Sequence, residues 1–184
     1  MKNNEHIPVF FESNDELVEI TAVAMASICY NTKSFVDFYI LDTGMHSFNK
    51  KLLESMKEKF DNFSIEYIPV DLKQFKDLKG YTARNFLDCY ARLLIPELKP
   101  ELDKAIYLDE DIIALDDISK LWNESLDGYE VGCVADIAYA NYNIINKAQI
   151  SSKQKYANGG VIFFNCKKWR ENGRGETDLF LNGK

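Results

Sequence analysis

The residues of this chain that most plainly offer chemistry are Tyr107-Leu108-Asp109-Glu110-Asp111, where an apolar run beginning at Ala105 leads straight into two aspartates separated by a single residue. In extended chain, residues two apart point the same way, so Asp109 and Asp111 are expected to present neighbouring carboxylates while Glu110 points away. Hard oxygen ligands of this kind suit Mn²⁺ or Mg²⁺, and diphosphate oxygens could complete the shell. A parallel, central strand would open its carboxyl end on the crevice where α/β sheets bind ligands. Spacing alone does not decide the matter. Fifteen aspartates in 184 residues give about one such triplet by chance, and a solvated acidic turn is the plain alternative.

Three other places carry candidate groups. Arg92 lies on an expected helix, where its guanidinium could reach the sheet edge and neutralise phosphate or carboxylate; an ion pair with Asp88, four residues earlier, is the competing reading. Asn158-Gly159-Gly160 precedes Val161, and two glycines there would admit close backbone approach to a ligand, although Asn-Gly is also a strong turn signal. Asp136 follows a short apolar strand, placed to hold a sugar hydroxyl or to cap the next segment. Asp116 and Asp117 precede Ile118-Ser119-Lys120-Leu121-Trp122, where helix capping is their expected role.

Elements to position these groups are legible as alternating strand and helix patterns, the signature of β-α-β units. Residues 7–11 read as the first strand, with a polar break at 12–16. Val18, Ala22, Met25, Ala26 and Cys29 recur at helical spacing. Residues 36–41 and 65–70 read as the second and third strands. Between them, a helix capped by Ser47 is expected to run through Phe60 with Leu52, Leu53 and Met56 inward. Residues 85–95 have helical spacing through Phe86, Cys89, Leu93 and Leu94 and are expected to stop before Pro96. Residues 105–108, 130–135 and 161–164 complete the strands, with a long tyrosine-bearing connection between the last two.

At 184 residues and 46% hydrophobic content the chain fits one domain with a sizeable core. Its net charge of −7 opposes nucleic-acid binding, and an anionic ligand would need local positive groups or a bound cation. Cys29, Cys89, Cys133 and Cys166 are irregularly spaced among apolar neighbours, which predicts buried free thiols in a reducing compartment. The apolar stretch 21–30 is too short for a membrane span. The expected location is the cytoplasm, including a peripheral position at the inner membrane face.

In this order, Tyr90-Ala91-Arg92-Leu93, Tyr107-Leu108-Asp109-Glu110-Asp111, Asp136, Asn158-Gly159-Gly160-Val161 and Asn165-Cys166-Lys167-Lys168-Trp169-Arg170 resemble glycosyltransferase family 8, the group of glycogenin and bacterial lipopolysaccharide galactosyltransferases. The resemblance implies an α/β, Rossmann-like nucleotide-diphospho-sugar transferase (GT-A) fold with a mostly parallel central sheet flanked by helices. It implies that Asp109 and Asp111 bind Mn²⁺ or Mg²⁺ and that Arg92, Glu110, Asp136, Asn158 and Gly159 surround the donor. The implied reaction moves glucose or galactose from a UDP-sugar, with retention, to a saccharide, glycolipid or glycoprotein acceptor.

The chain departs from the family pattern twice. After the first strand, where the family usually has an aspartate and a tyrosine for uracil, it reads Glu12-Ser13-Asn14-Asp15-Glu16-Leu17. Asn14 or Asp15 could bond the base, but Leu17 supplies no aromatic face. The family's later Asp-Gln motif and metal-completing histidine are not found before Lys184, and His6 and His46 come too early. The expected division is therefore a donor-binding domain over 1–170 and a polar tail over 171–184. Two competing classes remain, a noncatalytic nucleotide-sugar-binding remnant and a phosphatase of the haloacid dehalogenase type. The latter usually has its Asp-x-Asp near the start, followed by threonine or valine where Ile113 stands here.

Overall fold

The computed structural model describes residues 6–75, 87–135 and 157–172. A six-stranded sheet carries the fold, in the order β3-β2-β1-β4-β6-β5. Its strands are β1 (His6–Ser13), β2 (Phe35–Asp42), β3 (Phe63–Pro69), β4 (Ala105–Leu108), β5 (Val131–Ala135) and β6 (Ala157–Phe164). The first four are mutually parallel, and β6 runs antiparallel to both β4 and β5. Helices α1 (Val18–Asn31) and α2 (Ser47–Glu54) connect the first three strands; α3 (Ile95–Leu98), α4 (Ser119–Trp122) and α5 (Cys166–Asn172) follow.

The central strands are apolar because helices cover both faces of the sheet. Seven of the eight β1 residues are buried. Alternation divides them: Val9, Phe11, Phe38, Ile40, Ile106 and Leu108 pack with α1 and α4 on one face. Phe10, Leu41, Tyr107 and Phe164 pack with Ala91, Ile95 and Cys166 on the other. Each face also holds one tryptophan. Trp122 lies 5.8 Å from Phe163, and Trp169 meets Phe164 edge-on at 5.7 Å.

Several elements differ from their sequence reading. β1 runs two residues past Phe11, so Glu12 and Ser13 finish a buried strand instead of opening a loop. Its pairing with β2 continues to Ser13↔Asp42, which keeps their backbone groups in the ladder. Ser47 is the first residue of α2 and gives no side-chain cap. That helix tightens to a 3-10 turn over Ser55–Glu58, and Leu52 is 39% exposed while Leu53 is buried. Residues Asp88–Leu94 form 3-10 helix, with Ala91 as the inward residue. Pro96 does not stop it but stands in the first turn of α3, where its missing N–H is no loss. Phe86 lies outside the described residues. The expected boundary at Arg170 falls inside α5, which continues to Asn172.

No disulfide joins the four cysteines, and Cys133 differs from the expectation of burial: it is exposed on β5, while Cys29 and Cys166 are buried and Cys89 half-buried. Among the described residues no helix is long and apolar enough to cross a membrane. Phe38, fully buried between β1 and β3, tests the core. Phe38→Ala is expected to lower unfolding stability by about 3–5 kcal/mol, and Tyr30→Ala, at an 80% exposed position, by less than about 0.5 kcal/mol, both by urea denaturation.

Candidate functional site

The chain builds β1, β2 and β3 outward in one direction, then places β4 on the opposite side of β1. That reversal leaves a crevice between the carboxyl ends of β1 and β4, the usual ligand position in an open α/β sheet. Glu12 and Ser13 end one side, and Asp109 stands at the end of the other. Asp109 N–H still bonds Gly160 O at 2.8 Å, extending the β4–β6 ladder by one residue.

Extended geometry stops there. Glu110 and Asp111 form a turn, so the alternation argument for their side chains does not apply beyond Asp109. Glu110 is half-buried, and burial, helped by the charges of Asp109 and Asp111, raises its carboxyl above the usual range. Asp111 is exposed.

Arg92 comes from the 3-10 segment that covers one face of the sheet. Its Nε donates to Cys89 O at 2.7 Å, which fixes the side chain near its own backbone. Nη1 meets Asp109 Oδ1 at 3.0 Å and also donates to Gly159 O. The guanidinium carbon lies 4.4 Å from the centre of the Tyr107 ring, a cation–π distance. Tyr107 Oη donates to the same Asp109 oxygen at 2.8 Å. Arg92 is thus paired with Asp109 and not with Asp88, whose carboxylate accepts the Cys89 N–H instead.

Asn158, Gly159 and Gly160 lie within β6, which corrects the reading of this triplet as a turn before the strand. The glycines are needed for space. A Cβ on Gly160 would sit 2.9 Å from Asp109 Oδ2 and 3.1 Å from Asn158 Oδ1; one on Gly159 would sit 3.1 Å from Arg92 Nη1. Asn158 Oδ1 accepts the Gly160 N–H at 2.8 Å. The bare backbone of β6 therefore lets carboxylate and guanidinium close on it from β4 and from the 3-10 helix.

Glu12 was not singled out by sequence. It is 5% exposed and bonded by the Thr43 hydroxyl. Burial pushes its carboxyl from 4.5 to about 7; Asp88 and Glu110 add to the rise, while Thr43 and Arg92 oppose it. The available signal was an acidic residue directly after five apolar ones, which reads equally well as a strand end.

Other candidates lie apart from this network. Asn14 Oδ1 accepts the N–H groups of Glu16 at 2.9 Å and Leu17 at 3.2 Å, shaping the entry to α1. Asp15 holds the His46 N–H and the Asn49 amide, and these bonds, the His46 N–H first, lower its carboxyl to about 2. Asp117 accepts the Ser119 N–H and the Thr32 hydroxyl, the expected capping role, and Asp116 pairs with Lys120. Asp136 lies outside the described residues.

The residues at the crevice fit a hard divalent cation in part. Asp109 has one oxygen bonded by Arg92 and Tyr107, and its other lies close against Gly160. Asp111 is an exposed carboxylate two residues on. Among the described residues no group of three His, Cys, Asp or Glu side chains is gathered as a metal site, so further ligands would come from elsewhere.

Comparison with known proteins gives a consistent picture. The family described as Glycosyl transferase family 8 matches residues 8–178. General stress protein A of Bacillus subtilis is 31% identical over 138 residues, covering 74% of this chain and 47% of that protein. Human Glycosyltransferase 8 domain-containing protein 1 is 33% identical over 128 residues, covering 66% and 34%. The chain thus spans less than half the length of these relatives. Among solved structures, the galactosyltransferase LgtC, in complex with donor and acceptor sugar analogs, superposes with a TM-score of 0.84 at 24% identity, over 95% of this chain and 63% of that one. That likeness establishes the nucleotide-diphospho-sugar transferase (GT-A) fold.

Two substitutions test this geometry. The folded state holds the Glu12 proton more tightly than the unfolded chain, so Glu12 lowers stability progressively as pH rises from about 4.5 to about 7 and by a constant amount above. Glu12→Gln is therefore expected to stabilise the fold by up to about 3 kcal/mol at pH 8 and to make no difference near pH 4, measured by urea unfolding across that range. Gly160→Ala is expected to cost about 1–3 kcal/mol and to displace the Asp109 carboxylate, which a crystal structure of the variant would reveal.

Proposed function

As this chain belongs to glycosyl transferase family 8, we propose that it is the donor-binding part of a retaining hexosyltransferase. It would take a UDP-sugar and pass glucose or galactose to a saccharide, glycolipid or glycoprotein acceptor. The supporting observation is the convergence of Arg92, Asp109 and the Gly159-Gly160 backbone at the crevice between β1 and β4. LgtC, a galactosyltransferase, holds donor and acceptor sugar analogs on the same fold.

In this reading Asp109 and Asp111 would hold Mn²⁺ or Mg²⁺, with diphosphate oxygens among the other ligands. Such a cation, when bound, stabilises negative charge on the departing diphosphate. Arg92 is the guanidinium in the crevice and offers the donor a fixed positive group. Glu110, Asp136, Asn158 and Gly159 belong to the donor side of the proposed site, and Asn14 to its base end. Residues 1–170 form the proposed donor-binding unit. Four cysteines with no disulfide among them favour a reducing compartment, so the proposed location is the cytoplasm or the inner membrane face.

Titration calorimetry with UDP, UDP-glucose and UDP-galactose, with and without Mn²⁺, tests the reading. Binding is expected to require Mn²⁺ and to weaken about 10–100-fold in Asp109→Ala and in Asp111→Ala. Absence of binding under every condition would overturn it. Binding without transfer to any acceptor would favour a noncatalytic nucleotide-sugar-binding role.

A further inference from the structure

We propose that Tyr107 is a positioning residue of the donor site, one buried ring that fixes both the Asp109 carboxylate and the Arg92 guanidinium. The inference rests on the donor-site reading and adds a residue to it. Tyr107 is fully buried in β4, on the sheet face shared with Phe10, Ala91 and Phe164. Asp109, two residues on, continues along the same side. The hydroxyl donates to Asp109 Oδ1 at 2.8 Å, the ring face lies 4.4 Å from the guanidinium carbon, and Arg92 Nη1 meets that same oxygen at 3.0 Å. Ring, cation and carboxylate therefore close a triangle in which each member constrains the other two.

A role in packing alone would not account for the hydroxyl. Phenylalanine would fill nearly the same volume, and burying a hydroxyl without a partner is costly. Here its partner is the carboxylate at the crevice. Two donors on Oδ1 also distinguish the oxygens of Asp109, because Oδ2 takes neither bond and lies close against Gly160. From below, the ring limits where the guanidinium can move, so Arg92 stays over the sheet end even when its ion pair with Asp109 is exchanged for an incoming anion.

Tyr107→Phe removes the hydroxyl and keeps the ring, and Tyr107→Leu removes both. Thermal unfolding should move by less than about 5 °C in Tyr107→Phe, confirming the fold. Mn²⁺-dependent binding of UDP, followed by calorimetry, should weaken about tenfold in that variant, as loss of a hydrogen bond to a charged group predicts. In ligand-free protein, the Asp109 carboxyl carbon resonance should shift in both variants. The Arg92 Nε–H resonance should stay sharp in Tyr107→Phe and broaden in Tyr107→Leu. Wild-type UDP affinity in Tyr107→Phe, or unchanged Asp109 and Arg92 resonances in Tyr107→Leu, would overturn the proposal. Should the unmodified chain bind no UDP, the donor-site reading fails, and the two resonances still decide whether Tyr107 holds these groups.

Discussion

Arg92 stands where the carboxyl ends of β1 and β4 bring Glu12, Asp109 and Glu110 to one crevice, and its positive charge opposes the repulsion among those carboxylates. Its guanidinium pairs directly with Asp109 and acts at longer range to lower the proton affinity of Glu12 and Glu110. The compensation is incomplete, since burial still leaves both glutamates above their ordinary range. The crevice is thus short of positive charge within a chain of net charge −7. An anionic ligand entering it compounds the deficit unless a cation comes with it.

Backbone packing makes this concentration of charge possible. Parallel strands covered on both faces have nowhere to expose polar side chains except at their ends, so β1 and β4 deliver theirs to one rim. The antiparallel β6 then contributes what a parallel strand with side chains would not: two residues of bare backbone, in register beside Asp109. Two strand ends, a 3-10 helix and a glycine pair meet there, joined through Tyr107 and Arg92.

Much of this was legible in the residues. The apolar strand at 105–108, the helix from Val18 and the bond from Asp117 to the start of α4 depend on local pattern, and the structure agrees with them; the alternation of Asp109 and Asp111 ends at the turn, and the buried face of α1 includes Thr21, Ala24 and Ile28 in place of Ala22 and Ala26. What sequence missed depends on neighbours distant in the chain. Glu12 reads as a strand end because nothing local says that β2 pairs with it through Asp42. Asn158-Gly159-Gly160 has the composition of a turn, and only Asp109 and Arg92, brought against it by the sheet, make the glycines a steric requirement. Likewise Arg92 had a carboxylate four residues away, and its actual partner lies seventeen residues on, on another element. The likeness in order of motifs pointed to the residues of the proposed site; the pairings among them come from tertiary contacts.

The distribution of the two tryptophans has a practical corollary. Trp122 is buried with the α1 side of the sheet, and Trp169 packs with Phe164 on the opposite side. Each layer therefore carries its own intrinsic fluorophore, and Lys104, 4.0 Å from the Trp122 ring centre, gives that one a charged neighbour. The emission of single-tryptophan variants can report separately on whether the two layers come apart together or in sequence.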